Sequence, residues 1–263
     1  MRAVFVREIR LNMKQLIIWS LTVGILGLVC ILMYDSMQGD MKSMADMFSQ
    51  MGAFSDAFGM STLSIATVEG FFATEVGTVH GLGGAMFAAI LAIGIISKEE
   101  DGHTGEFLLS LPISRRRVVA AKGGCVLVCL AAFSCVCALF YALGFVMLGE
   151  DIPFSKLAVF MAMQLLMNIE ISAICFFISG VSPKINIGAG LGVALICYVY
   201  DLVGRVVPDM KDYLFMGPYS YANASEIFSG ADIAVAGVAV GLVITVVAYV
   251  STFVCFDRRD LAS

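Results

Sequence analysis

Residues 16–34 read LIIWSLTVGILGLVCILMY, an apolar run without a single charge. At 1.5 Å per residue, a helix of this length covers roughly the 30 Å hydrocarbon core of a bilayer. Five further stretches are apolar over a similar or greater length, four of them with one charged residue each: 74–96, 118–148, 157–181, 185–203 and 233–256. The third is longer than a membrane is thick, so its start, near Lys122, is expected outside the hydrocarbon. Pro112, Pro153, Pro183, Pro208 and Pro218 all fall between the runs, where the loss of a backbone donor breaks no spanning helix. The reading is an all-α integral membrane protein with six transmembrane helices and one transmembrane domain over residues 1–263.

Composition agrees. Sixty per cent of the 263 residues are hydrophobic and 14% charged, against about 25% charged in a soluble domain; mean hydropathy is +0.93. The net charge of −5 carries little information, because position decides in a membrane protein. With the N-terminus inside, Arg2, Arg7, Arg10, Lys14, Lys98, Arg115, Arg116, Arg117, Lys122, Lys184, Arg258 and Arg259 lie on the inner side. Only Lys42, Lys156, Arg205 and Lys211 lie on the outer side. Twelve cations against four place both termini in the cytoplasm by the positive-inside rule. The first apolar run is long and lacks a small-x-small cleavage site, so it reads as a retained span rather than a signal peptide.

Three segments between the spans have their own pattern. In residues 1–15, Phe5, Ile9, Met13 and Leu16 share a face opposite Arg7, Arg10 and Lys14, which predicts an amphipathic interfacial helix on the inner leaflet. Between Asp35 and Phe71, Met41, Met44, Met47, Phe48, Met51, Phe54 and Phe58 recur at helical spacing, predicting a second surface helix on the outer side. Residues 204–232 carry Tyr213, Phe215, Tyr219, Tyr221 and Phe228 among glycines and prolines. That segment is too polar to span and is expected to dip back as a re-entrant-like element, which is tolerated where protein or water satisfies its backbone.

Cys30, Cys125, Cys129, Cys135, Cys137, Cys175, Cys197 and Cys255 lie in or beside apolar runs. There they read as small packing residues, with neither the outer-loop placement of disulfides nor a zinc spacing. The small-residue pairs Gly188/Gly192 and Gly237/Gly241 read as close helix packing rather than a nucleotide turn. No Gly-x-x-x-x-Gly-Lys-Ser/Thr loop is present to hold ATP. Tyr34-Asp35 and Tyr200-Asp201 echo half of an intramembrane aspartyl pair but lack the partner motif, and no His-Glu-x-x-His occurs. Glu170 is the acid set well within a span; it reads either as a neutral acid hydrogen-bonded to a neighbouring helix or, with Asn168 nearby, as the strongest candidate for a substrate-pathway group. His80, Glu75 and Asp201 are weaker candidates, nearer the outer rim where water is expected to reach them.

The loop over 98–122 is the most informative. Glu99-Glu100-Asp101-Gly102 forms an acidic foot and turn. Thr104 is placed to cap a short helix with Glu106 in its first turn, and Phe107, Leu108 and Leu111 make one apolar face. Pro112 ends the helix, Ser114 caps the next, and Arg115, Arg116 and Arg117 stand at the foot of the third span. An apolar face in water calls for a cover, supplied by a partner or by the bundle itself.

The run from Glu99 to Arg115, above all Leu108-Leu109-Ser110-Leu111-Pro112-Ile113-Ser114-Arg115, resembles a signature of the permease subunits of bacterial ATP-binding-cassette type-2 exporters. His103 and Gly105 make its turn a loose match. The whole layout of amphipathic N-terminus, six spans, large first outer segment and re-entrant-like element is also similar. The resemblance implies a cytoplasmic coupling helix docked on a separate ATPase subunit. Phe107, Leu108 and Leu111 would be the docked face, and Glu99, Glu100, Arg115, Arg116 and Arg117 the polar junction. It further implies a second, identical or related, permease in the plasma membrane. ATP and Mg would sit on the ATPase, with no cofactor, metal or nucleic acid on this chain. The rival readings are a stand-alone channel or secondary transporter, which calls for more buried polar residues, and a scaffold that moves nothing.

Overall fold

The computed structural model of the chain describes residues 2–49, 51–60, 62–103 and 114–258. Helix α1, Arg2–Ser49, runs for 48 residues without a break. No proline precedes Pro112, so nothing removes a donor from its hydrogen-bond ladder. One rod therefore replaces the expected division into an interfacial helix, a span and a separate surface helix. The apolar face expected in lipid is also shared differently: Phe5, Ile9 and Leu16 pack against the protein core, while Met13 is 40% exposed.

The short α2, Ala53–Ala57, precedes α3, Val68–Ile93. Thr67 caps α3 by accepting the Gly70 N–H at 3.1 Å, and its first turns pass through a π-helical stretch at Phe72–Val76. After α4, Lys98–Asp101, come α5, Arg115–Leu148, and α6, Phe154–Val181. Gly149 ends α5 at φ +78°, in the left-handed region that glycine enters at no steric cost. Asn186 caps α7, Ile187–Val206. A 3-10 helix at Pro208–Met216, the short α8 at Ala224–Ser229 and α9 at Val235–Arg258 complete the chain.

Six helices are long and apolar enough to cross a membrane: Arg2–Met37 of α1, α3, α5, α6, α7 and α9. They are not equivalent. In α3, 61% of the apolar window is buried, against 22% in α7 and 17% in α9, so α3 is the central post and the other two lie at the rim. Helix α1 packs along α5, α6 takes α3 and α9, and α7 leans on α3. The α1–α5 approach is close because Gly27 leaves room for the Tyr141 ring and Gly144 for Ile31. Around Phe72 the rings of Tyr141, Phe145, Phe160 and Phe228 gather with centroids 4.9–5.8 Å away, pairs worth about 0.5–1.5 kcal/mol each beyond their burial.

The glycine pairs divide. Gly241 abuts the Glu170 carboxyl and Gly237 abuts Ser220, as close packing requires. A Cβ at Gly192 would meet nothing within 4 Å, and one at Gly188 only the Asn186 side chain. That pair is not a helix contact in the chain, because the face of α7 that meets α3 is carried instead by Gly190 against Ile93.

Candidate functional site

Two polar clusters stand at opposite ends of the bundle. The near end holds the start of α1, the short α4, the foot of α5 and the end of α9. Glu8, on the same face of α1 as Val4 and Asn12, is fully buried. Its carboxylate receives the Lys122 ammonium of α5 at 3.1 Å and is in contact with the Lys98 ammonium of α4. Lys122 is 1% exposed along its side chain and also binds Glu99 Oε1 at 3.0 Å and the Ile95 carbonyl at 2.6 Å. An ammonium has three donors, and these three acceptors use all of them. Arg7, half exposed, adds a bond to Glu99 at 3.2 Å. The buried Glu8, Glu99 and Lys122 are thus paired with one another and with the partly buried Lys98 and half-exposed Arg7, the condition under which buried ions are tolerated.

The backbone beneath this cluster is fixed from another side. The Ile96 and Ser97 N–H groups donate to the Ser179 hydroxyl of α6 at 3.0 and 3.1 Å. Helix α4 then ends at Gly102 and His103, the latter at φ +54°, a left-handed turn that histidine enters more readily than most residues. Glu100 is buried beside Glu99. On the other side of the loop, Arg115 donates to the Phe256 carbonyl at 3.3 Å, and Arg116 pairs with Asp257 at 2.8 Å. The loop between α3 and α5 is therefore tied at one foot to α1 and α5 and at the other to the last turn of α9. Thr104, Glu106, Phe107, Leu108, Leu111 and Pro112, expected to form the coupling helix, lie outside the described residues.

Residues 2–261 match the family described as ABC-2 family transporter protein. The chain belongs to that family. It is an ABC-2 permease, the membrane-spanning subunit of an ABC transporter, in a family whose ATP hydrolysis lies on a separate ATPase subunit. No curated protein matches the chain in sequence.

The residues singled out as pathway candidates do not share one chamber of the permease. Glu170 is buried and faces α9: the Tyr221 hydroxyl donates to its Oε2 at 2.7 Å, and Gly241 lies against the same oxygen. Burial, and next the Glu170 carboxyl, hold the Tyr221 phenol above its ordinary range, so it stays a donor. Asn168, two residues earlier, faces the opposite way, onto Gly84 of α3. It is fully buried, and neither amide atom has a hydrogen-bond partner. His80 also belongs to α3 and is fully buried, with Nδ1 2.9 Å from the Tyr141 hydroxyl. It sits among Phe133, Tyr141 and Phe160, not at a wet rim as its sequence position suggests. Asp201 is likewise buried rather than water-washed, because Arg205 grips both its oxygens at 2.8 and 3.1 Å. Glu75 alone of that group is exposed.

Arg205 also reaches Glu226 of α8 at 2.6 Å, forming the far-end cluster. In the segment after α7, Tyr219, Tyr221, Ala222 and Phe228 are buried. The Tyr219 hydroxyl donates to the Gly81 carbonyl at 3.1 Å, and Gln164 of α6 donates to the Ala222 carbonyl at 2.8 Å. Among the described residues no three His, Cys, Asp or Glu side chains gather to hold a metal. The eight cysteines are free thiols; Cys125, Cys129, Cys137 and Cys175 fill the core.

Sequence reading missed Glu8 and underrated Lys122. The available signal was a single acid four residues after the apolar Val4 and on its face, and a single lysine inside the longest apolar run. Each is untenable alone, and the two together are complementary.

Proposed function

We propose that this permease is the membrane half of an ATP-driven exporter, working as a dimer of permeases in a bacterial plasma membrane with both termini in the cytoplasm. The near end is then the cytoplasmic end. Its loop docks through Phe107, Leu108 and Leu111 on a soluble ABC ATPase, with Thr104, Glu106 and Pro112 shaping the docked helix. Glu99, Glu100, Arg115 and Arg116 form the junction that passes the ATPase stroke to the spans.

The observation that carries this reading is the double anchorage of the loop. Lys98 and Glu99 engage Glu8, Lys122 and Arg7, while Arg115 and Arg116 engage the end of α9. A loop tied to three spanning helices moves them when it is pushed; a loop tied to none does not. Nucleotide and Mg belong on the partner subunit. Asn168, Glu170 and His80 are the interior polar groups available to a translocated molecule, reached from two different sides of α6.

The test is a mild-detergent pull-down of the tagged full chain from its own cells, with mass spectrometry of the recovered partners. A soluble ABC ATPase recovered with the wild type and lost with Leu108→Asp, while the variant keeps its thermal midpoint, is the expected result. Recovery of the ATPase with both forms refutes the docking face. Recovery of the chain alone as a stable oligomer turns the reading toward a self-sufficient channel or transporter.

A further inference from the structure

The cations of the near end are of two kinds. Lys98, Lys122, Arg7 and Arg116 are held by carboxylates, and Arg115 by the Phe256 carbonyl. The side chains of Arg10 and Lys14 in α1 are exposed and have no hydrogen bond or ion pair among the described residues. They follow Arg7 by three and seven positions, so the three share one helical face. That face points away from the protein, because the opposite one is spent on it: Val4 packs with Val118 and Ala121, and Glu8 pairs with Lys122. The outward face continues along the helix as Ile17, Ile18, Leu21 and Ile25, each between 42% and 52% exposed. From Lys14 to Ile25 this apolar track is about 16 Å long, and one leaflet of the hydrocarbon core is about 15 Å deep.

Two unpaired cations one turn apart, at the mouth of a branched apolar track one leaflet long, match the two ends of a single molecule. The cations call for an anionic head group and the track for an acyl chain. We propose that this face of α1 is a binding site for an anionic phospholipid. A zwitterionic lipid fills the track but brings the cations no net counter-charge, and a soluble partner does not reach a track that lies in hydrocarbon. The combination is what marks the site. Arg117 of α5 is also exposed, with no side-chain partner among the described residues, yet no side chain from Val118 to Val126 is exposed, so no track follows it. The head group sits one turn from Arg7, the arginine that bonds Glu99, which brings lipid charge beside the anchorage of the loop. That the lipid belongs to the inner leaflet rests on the proposed orientation. Binding does not, and it is measured on the isolated chain, so its failure is separate from a failure to recover an ATPase.

The full chain in maltoside micelles, its melting followed by a thiol-reactive dye on the buried cysteines, is titrated with dioleoylphosphatidylglycerol. Dioleoylphosphatidylcholine at the same mole fractions and soluble glycerophosphoglycerol, the head group without its chains, are the controls. Stabilisation by phosphatidylglycerol beyond both is expected. Because Arg10 and Lys14 are exposed, Arg10→Gln with Lys14→Gln should keep the melting midpoint of lipid-free micelles. The half-saturating mole fraction of phosphatidylglycerol should rise about twentyfold in that variant, about fivefold for each cation lost. Arg10→Lys with Lys14→Arg keeps both charges and should keep binding, and Arg117→Gln should leave it unchanged. Should the double variant melt early without lipid, Arg10→Gln and Lys14→Gln alone, each weakening binding about fivefold, decide in its place. Equal stabilisation by phosphatidylcholine or by the soluble head group, half-saturation unmoved by the Gln variants, or an equal loss in Arg117→Gln overturns the site.

Discussion

The two ionic clusters of this permease are built from the same ingredients and do different work. At the far end, Arg205 holds Asp201 within its own helix, four residues apart, and reaches Glu226 only twenty-one residues on. At the near end, Glu8 meets Lys98 and Lys122, ninety and 114 residues away in sequence. The first is a local clasp that shapes the segment after α7. The second joins three separate elements, so none of them moves without the others. Separation along the chain, more than charge content, distinguishes the two, and on the proposed reading the first is a fastener and the second a transmission.

The sharpest way to break the contrast is Glu8→Ala. It removes one of the two carboxylates that meet the buried Lys122 ammonium, leaving Lys122 and Lys98 with Glu99 as the remaining buried carboxylate of the cluster, and is expected to destabilise the chain by about 3 kcal/mol, read as a large fall in the melting midpoint in micelles. The double variant Glu8→Leu with Lys122→Met removes both charges and should recover most of that loss, while a partner's ATPase activity no longer drives transport. Recovery of stability together with transport would reduce the near-end cluster to a fastener. At the far end, Arg205→Met leaves Asp201 buried without its partner. The expected loss is smaller, about 2–3 kcal/mol, because Glu226 keeps a third of its side chain in water. Coupling to the ATPase should survive. The smallest effect belongs to Arg116→Ala, whose pair with Asp257 is mostly exposed. Less than about 0.5 kcal/mol of stability is at stake, and salt screens it further. The informative readout is ATP-driven transport, which should fall if the foot of α5 passes force to α9.

Much of this architecture is legible in the amino-acid order, and the exceptions have physical causes. Long apolar runs with at most one charge each announce six spans because a bilayer demands them. The division of residues 1–49 into successive segments is instructive, since one helix runs through all of them. It followed the expected position of the membrane surface, whereas the backbone follows its own ladder, and residues 2–49 contain no proline to interrupt it. His80 and Asp201 were judged wet from their distance along a span, yet burial depends on neighbours from other helices, such as Tyr141 and Arg205, which linear order does not bring together. Glu8 escaped notice for the same reason, since its significance lies wholly in lysines 90 and 114 residues away. The aromatic density of residues 204–232 was readable, and Gln164, which donates to the Ala222 carbonyl there, was not.

The unbroken length of α1 has a mechanical meaning. Forty-eight residues at 1.5 Å each make a rod of about 72 Å, more than twice the thickness of the hydrocarbon core. Pivoted near its middle, such a rod turns a tilt of about 5° into a displacement of about 3 Å at each tip, in opposite directions. On the proposed coupling, a nudge delivered where Glu8 meets Lys98 would be felt at the far tip of the helix with no hinge to absorb it: α1 would be an oar, and the bilayer its rowlock.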